Sequence, residues 1–207
     1  MSSDQIGAVD SQHEASHKFD YFLQICEDQG TTLYRKNVLT IGCGDGAFTN
    51  ALFHHEAHVT GLDRSVRKLT DAKSRNPNIT YRKGDAEHLP FERDSFDVVI
   101  AFGVWHLFDR PKVLSEASRV LSEHGTLLIV SEKVISSNES SETASFFPEE
   151  WYEEWEETKW NISNQWSVED VSSKWFPEKT FFQNDQKLNQ FNLVEVETHY
   201  NCITLRK

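Results

Sequence analysis

The sequence predicts a doubly wound α/β fold with a mostly parallel sheet, and three observations carry this prediction. Short apolar segments alternate with helix-length segments between residues 37 and 131, which favours parallel strands joined by right-handed crossovers. The strand centres are apolar on both faces, as expected when helices cover both sides of a sheet. A glycine-rich loop follows the first strand directly, at the strand end where such sheets bind ligands.

Each element of this core is marked by its own pattern. The predicted strands are Asn37–Ile41, Ala57–Leu62, Ile79–Lys83, Phe96–Phe102 and Thr126–Ser131. The predicted helices between them are Phe48–His55, Ser65–Arg75 and Pro111–Ser122. Asn76-Pro77 ends the second helix, Gly125 follows the third, and Gly84 to Asp94 is a loop.

The chain is predicted to be one domain with additions around this core. Residues 1–35 are an N-terminal helical segment, and residues 36–133 are the core that holds the glycine loop. Residues 134–190 are an insertion: a serine-rich loop, an aromatic helix over Glu149–Trp160 that forms a lid, and a helical or irregular stretch over residues 167–190. Residues 191–207 are closing strands, read as an antiparallel hairpin of Leu193–Thr198 and Cys202–Leu205.

Composition narrows the environment and the partners. The chain has 207 residues, a formal net charge of −12 and 38% hydrophobic residues, so it can bury a core but repels phosphate backbones. Cys26, Cys43 and Cys202 are widely spaced and form no CxxC pair, which predicts a reducing compartment without structural zinc. His13 and His17 lack a third ligand, so no metal is expected. Without a long apolar segment, a cytoplasmic protein with no membrane or nucleic-acid partner is predicted.

The glycine loop is the first candidate for chemistry. Ile41 leads directly into Gly42-Cys43-Gly44-Asp45-Gly46. Glycine allows a tight turn and lets a ligand approach the backbone, and the next helix directs its positive dipole end at the site. Gly42, Gly44 and Ala47 also satisfy the G-x-G-x-x-A pattern of dinucleotide-binding folds. The loop alone is therefore compatible with a dinucleotide and with another adenosine-containing cofactor. A P-loop is excluded, because the sequence contains neither Gly-Lys-Ser nor Gly-Lys-Thr.

Two acidic strand ends extend this site. Asp63 ends the second strand, where a carboxylate can accept two hydrogen bonds from a ribose diol, although it can also cap the helix that begins near Ser65. In Gly84-Asp85-Ala86-Glu87, Asp85 can accept from an adenine amino group and the Ala86 N–H can donate to a ring nitrogen. The alternative for this segment is a polar turn.

Several ordered motifs resemble one family. Val38 to Gly46 looks like motif I of the class I S-adenosylmethionine-dependent methyltransferases, and Gly84 to Phe91 resembles the segment that they place against adenine. Asp94 to Val99 and Val120 to Ile129 resemble their fourth and fifth strands. The best match is the branch of ubiquinone/menaquinone-type and small-molecule methyltransferases. The resemblance implies a Rossmann-like methyltransferase fold, S-adenosylmethionine as cofactor, and methyl transfer to an O, N or C nucleophile of a small molecule.

The motifs and the resemblance together define the cofactor-binding candidates. These are Thr40, Gly42, Cys43, Gly44, Gly46, Asp63, Arg64, Asp85, Ala86, Glu87 and Phe102.

Thr40 departs from the family pattern, which usually has Asp or Glu two residues before the first glycine. A threonine can make a hydrogen bond but brings no charge to oppose the ammonium and sulfonium of the cofactor. A lost charge-assisted hydrogen bond is worth about 1.5–3 kcal/mol, so weaker cofactor binding is predicted. A non-catalytic cofactor-binding or scaffold protein is therefore one alternative function, and a nicotinamide-dependent oxidoreductase is another.

The catalytic candidate lies after the fourth strand. In the resembling family this strand end lies beside the transferable methyl group, so His106 is predicted to be the base or orienting residue. Its alternative is a polar residue packed under the next loop. Trp105, Trp151, Trp155 and Tyr21 are predicted to line the acceptor pocket. The aromatic helix could instead pack its rings onto the sheet or onto a second copy in a homodimer.

Overall fold

A computed structural model describes residues 19, 22–24, 26–136, 149–157, 160–172 and 196–206. Its strands are β1 (Asn37–Ile41), β2 (His58–Asp63), β3 (Thr80–Lys83), β4 (Phe96–Phe102), β5 (Leu121–Ser136), β6 (Asn161–Ser172) and β7 (Val196–Arg206). Its helices are α1 (Ala47–His54), α2 (Val66–Arg75), α3 (Arg110–Val120) and α4 (Glu149–Glu157), with a 3-10 turn at Trp105–Leu107. Residues 22–24 and 26–28 are also helical.

The strands form one seven-stranded sheet in the order β3-β2-β1-β4-β5-β7-β6. Strands β1 to β5 pair in parallel, and β1 lies between β2 and β4. The strand order reverses between β1 and β4, and the carboxyl ends at such a reversal open a crevice for ligands. The predicted doubly wound, mostly parallel sheet is therefore confirmed.

Helices cover both faces of this sheet. Successive side chains of a strand point to opposite faces, and alternate residues of the central strands do belong to two different hydrophobic clusters. The first cluster contains the strand residues Leu39, Ile41, Val99 and Ala101 together with side chains of α3 and α4. The second contains Val38, Val98 and Ile100 together with α1 and the N-terminal helical residues. The apolar strand centres predicted this arrangement.

The carboxyl-terminal part of the sheet differs from the prediction in its details. The expected antiparallel pair exists, but it is formed by β6 and β7, and the hairpin within residues 193–205 is wrong. Tyr200, expected near a turn, pairs with Glu132 on one side and with Val168 on the other. No glycine or proline occurs between Thr198 and Cys202 to form a tight turn, and β7 gains two partners by remaining continuous.

Three other boundaries also change. Residues 167–172 belong to β6, although a helical or irregular stretch was predicted from residue 167, and residues 173–190 lie outside the described part of the chain. Strand β5 begins at Leu121, inside the span predicted as helix. Helix α4 confirms the aromatic helix but ends at Glu157. Among the described helices, none has both the length and the apolar character that crossing a bilayer requires.

Candidate functional site

The segments that follow β1, β2 and β3 contact one another at the carboxyl edge of the sheet. The Gly44 N–H donates to Asp63 Oδ2 at 2.9 Å, which ties the glycine loop to the end of β2. The Gly84 N–H donates to the Asp63 carbonyl at 3.1 Å, which ties the end of β3 to the end of β2. Arg64 and Asp85 form an ion pair at 3.1 Å. The three predicted cofactor segments therefore form one continuous surface.

The glycine loop closes against its surroundings at two positions and is open at a third. Gly42 has φ +66°, and a Cβ there would lie 3.1 Å from the Val104 side chain, beyond the end of β4. Gly46 has φ +78°, and a Cβ there would lie 2.5 Å from Tyr81 Oη. Gly44 has φ +59°, but a Cβ there would meet no atom of the described residues within 4 Å. Only glycine adopts all three conformations without strain, and the space beside Gly44 admits a ligand.

Asp63 is a buried carboxylate that organises this loop. Its exposed fraction is 9%, and its two oxygens accept from the Gly44 N–H and, at 2.8 Å, from the Ser65 N–H. The residue that caps α2 is Ser65, whose Oγ accepts from the Lys68 N–H at 3.3 Å. A carboxylate offers about four acceptor positions, so Asp63 retains acceptor capacity for a hydroxyl-bearing ligand.

The predicted adenine segment offers one donor and one acceptor. Asp85 Oδ1 accepts from the Glu87 N–H at 3.0 Å, and Oδ2 faces Arg64, whose side chain is 69% exposed. The Ala86 side chain is buried, and its N–H has no hydrogen-bond partner among the described residues. Glu87 faces the other way: its carboxylate accepts from the Asp109 N–H at 3.2 Å and lies 3.7 Å from Lys112 Nζ.

Thr40 is engaged by the protein. It is 3% exposed, and its hydroxyl lies 2.9 Å from the Thr49 hydroxyl of α1 and 3.5 Å from the Thr60 carbonyl. Its side chain therefore packs between β1 and α1, with no charge.

Cys43 contributes its backbone to the loop. The Cys43 N–H donates to the Leu62 carbonyl at 2.9 Å, and its carbonyl accepts from the Gly46 N–H at 3.0 Å. Its side chain packs against the cluster that contains Leu69 and Tyr81. Burial and the nearby Asp63 carboxylate raise the pKa of the Cys43 thiol to about 12, so the group is a neutral thiol at physiological pH.

At the end of β4, Phe102 packs among aromatic rings, whereas His106 is exposed. Phe102 stacks on Phe48 with ring centroids 4.4 Å apart and meets Phe19 and Phe22 edge-on at 5.7 and 5.5 Å. The ring of Phe102, predicted as a cofactor-binding residue, thus packs largely against the second core cluster. His106 lies in the 3-10 turn after the strand and is exposed to solvent.

The predicted acceptor tryptophans are buried. Trp105 is 1% exposed, and its indole N–H has no hydrogen-bond partner among the described residues. Trp151 and Trp155 of α4 are 6% and 0% exposed and pack in the first core cluster. Their burial agrees with the alternative in which the aromatic helix packs its rings onto the sheet. Tyr21, like His13 and His17, lies outside the described residues.

Some contributors to the site were missed at the sequence level. Arg75 braces the glycine loop through a 2.8 Å ion pair to Asp45, and Tyr81 fills the space beneath Gly46. Val104 closes on Gly42 from the β4 side. The one available signal was Gly61, which lies opposite Tyr81 in the β2–β3 register and leaves room for its ring.

Comparison with known proteins identifies the core. Residues 39–129 match the methyltransferase domain family. The chain is 31% identical over 146 residues to phthiotriol/phenolphthiotriol dimycocerosates methyltransferase 1 of Mycobacterium ulcerans, covering 62% of this chain and 54% of the relative. It is 38% identical over 98 residues to demethylmenaquinone methyltransferase of Thermotoga maritima, covering 46% and 43%. The matches thus span about half of each relative's length or less.

A solved structure extends the likeness of the fold. The structure of an S-adenosylmethionine-dependent methyltransferase of Thermotoga maritima matches with a TM-score of 0.57 and 19% identity, covering 98% of this chain and 96% of that one. The match to a methyltransferase domain favours S-adenosylmethionine over a nicotinamide dinucleotide as the cofactor. Over residues 39–129 the chain is therefore similar to the methyltransferase domain family and to the corresponding part of demethylmenaquinone methyltransferase.

Proposed function

We propose that this protein transfers the methyl group of S-adenosylmethionine to a nucleophilic O, N or C atom of a small molecule. The observation that carries the proposal is the contact between strand ends. The glycine loop, Asp63 and the Gly84–Asp85 segment are joined by hydrogen bonds at one edge of a sheet with the methyltransferase topology. The methyltransferase relatives share this part of the chain.

The residues present fit the cofactor. We assign Asp63 to the ribose hydroxyls, because its carboxylate keeps acceptor capacity beyond its two backbone partners. Asp85 and the Ala86 N–H supply an acceptor and a donor for the adenine edge. The open space at Gly44 lets a ligand lie directly on the loop. We do not assign Glu87 to the cofactor, since its carboxylate is directed at Asp109 and Lys112.

When bound, S-adenosylmethionine supplies an electrophilic methyl group on a positively charged sulfur. The protein must align a nucleophile with that carbon and, for some acceptors, remove a proton. We assign this task to His106, which lies just beyond the end of β4 with its imidazole exposed. Trp105 beside it is 1% exposed and packs in the first core cluster, so we assign it to the support of this turn.

Cofactor binding without turnover is the second candidate function, and Thr40 favours it. The hydroxyl of Thr40 is held by Thr49 and Thr60, and no carboxylate stands at this position to face the cofactor's positive charge. In this second function the protein binds S-adenosylmethionine more weakly than a relative with a carboxylate at this position, and it transfers no methyl group.

Calorimetric titration with S-adenosylmethionine, S-adenosylhomocysteine and NAD separates these functions. We expect both sulfur ligands to bind and NAD not to bind. If neither sulfur ligand binds, both candidate functions are wrong. A labelled-methyl assay over a panel of small O, N and C nucleophiles then tests turnover; binding without transfer to any acceptor would support the second candidate.

We further propose that the protein acts in the cytoplasm and has neither a nucleic acid nor a membrane as a partner. The net charge of −12 opposes binding to phosphate backbones. We also propose that the protein forms a homodimer. Light scattering, which measures the mass in solution, should then give twice the mass of one chain.

A further inference from the structure

The predicted adenine loop, residues 84–94, has its backbone held by two side chains of α3. Arg119 donates from one terminal nitrogen to the Phe91 carbonyl at 2.7 Å and from the other to the Leu89 carbonyl at 2.8 Å. Glu116 accepts from the Leu89 N–H at 2.7 Å. Two residues one helical turn apart thus satisfy both backbone groups of Leu89 and the carbonyl of Phe91.

Glu116 and Arg119 also hold each other. The guanidinium meets the carboxylate with two bonds, Nε to Oε1 at 2.8 Å and a terminal nitrogen to Oε2 at 2.7 Å. Their side chains are only 21% and 29% exposed. The hydrogen bond from Arg119 lowers the pKa of the Glu116 carboxyl, so the pair stays charged across the physiological range. Such a bidentate pair fixes orientation as well as distance.

The contacts of Glu116 and Arg119 also affect the part of the loop that contains Asp85 and Ala86. Ala86 and Leu89 are both buried in the first core cluster and only three positions apart. A displacement of Leu89 is therefore expected to displace Ala86 as well. The Asp85 side chain also forms an ion pair with the largely exposed Arg64, and exposed ion pairs contribute little. The hydrogen bonds that Asp85 accepts from the Glu87 and His88 N–H groups stay within the loop, so the Leu89 anchor supports the position of Asp85 from the α3 side.

We propose that Glu116 and Arg119 are positioning residues for cofactor recognition, which hold the loop in the conformation in which Asp85 and Ala86 recognise adenine. The inference rests on the proposed function, because it needs S-adenosylmethionine as the ligand. Neither side chain is assigned a contact with the cofactor. Their effect is to fix one acceptor and one donor at the spacing of the adenine edge.

The test compares two ligands that differ only in the base. S-inosylhomocysteine replaces the adenine amino group with a carbonyl and places a proton on the neighbouring ring nitrogen, which reverses both hydrogen bonds. We expect the wild-type protein to bind S-adenosylhomocysteine at least about tenfold more tightly than S-inosylhomocysteine, since mismatched buried polar groups carry a large penalty. In Arg119→Met we expect this ratio to fall by about fivefold or more, because a mobile loop loses selectivity.

The ratio separates positioning from general damage to the fold. If Arg119→Met weakens both ligands equally and leaves the ratio unchanged, the residue is merely structural and the proposal is wrong. Arg119→Lys can keep one carbonyl contact, and Glu116→Gln can keep the contact with the Leu89 N–H. Both should give intermediate ratios, and they remain informative if Arg119→Met does not fold. Arg93→Met changes an exposed arginine of the same loop and should keep the wild-type ratio.

Binding to the wild-type protein also separates adenine recognition from methyl transfer. Binding of S-adenosylhomocysteine without any preference over S-inosylhomocysteine would refute adenine recognition by Asp85 and Ala86, and with it this inference, while leaving methyl transfer intact. Failure to bind S-adenosylhomocysteine would refute the proposed function itself.

Discussion

Replacing Asp63 with alanine removes two backbone hydrogen bonds and the proposed ribose acceptor in one step. The carboxylate accepts from the Gly44 N–H at 2.9 Å and from the Ser65 N–H at 2.8 Å, and the residue is 9% exposed. A hydrogen bond to a charged group contributes about 1.5–3 kcal/mol. Because water can reach the Ser65 N–H at the start of α2, we expect the free energy of unfolding to fall by about 2–4 kcal/mol.

The same change should weaken cofactor binding. The loss of the ribose acceptor and of the brace on Gly44 should raise the Kd for S-adenosylhomocysteine at least about tenfold, which corresponds to about 1.4 kcal/mol. Urea denaturation measures the stability, and isothermal titration calorimetry measures the affinity under conditions where the variant remains folded. Asp63→Asn keeps the size of the side chain and should give a smaller loss in both measurements.

Asp97→Ala is the matched control for this experiment. Asp97 Oδ2 also accepts a backbone N–H, from Asn37 at 2.9 Å, but near the amino-terminal ends of β1 and β4. Its loss should lower stability slightly and leave the Kd for S-adenosylhomocysteine unchanged. If Asp63→Ala lowers stability while its Kd stays within about twofold of wild type, Asp63 only braces the loop, and the ribose assignment fails.

Four further substitutions test other parts of the site. His106→Ala should lower turnover with little change in cofactor affinity, and an equal loss of both would indicate a structural role. A left-handed residue costs about 1–2 kcal/mol, and Gly46→Ala should lower the free energy of unfolding by more than this, because its Cβ would lie 2.5 Å from Tyr81 Oη. Gly44→Ala has open space around it and should reduce cofactor affinity, measured by calorimetry, more than stability, measured by denaturation. A larger loss of stability in Gly44→Ala than in Gly46→Ala would contradict the described loop. Tyr81→Phe removes a buried hydroxyl without a hydrogen-bond partner among the described residues and should leave stability unchanged or raise it by about 1–2 kcal/mol, so a clear loss on denaturation would show that the hydroxyl has a partner.

The parallel half of the sheet could be predicted because its signals are local. The strands β1, β4 and β5 each contain a short apolar run, and a turn, loop or helix separates each of the five strands from the next. The carboxyl-terminal half could not, because β6 and β7 owe their extent to pairing between distant segments. Residues 161–172 include several polar side chains of low strand propensity, and they become a strand through their register with β7.

In the candidate site, too, local features were predictable and contacts between distant segments were not. The glycines and Asp63 were identifiable because their spacing from the strand ends is local. The orientation of Glu87 was not, because only the packing of α3 places the Asp109 N–H within reach of its carboxylate. The burial of Trp155 likewise follows from the docking of α4 on the core, since an amphipathic aromatic helix fits a lid and a core helix equally well at the level of sequence.

By itself, the sequence determined the alternation of strands and helices, the glycine loop and the acidic residues at two strand ends, because each depends on backbone preference and hydrophobic period within a short segment. The tertiary structure alone decided how these parts meet. It directs Thr40 at Thr49, holds Asp63 against Gly44, and fastens the predicted adenine loop to α3 through Arg119. Those contacts join residues that are distant along the chain, and their geometry is set by the packing of helices on both faces of the sheet.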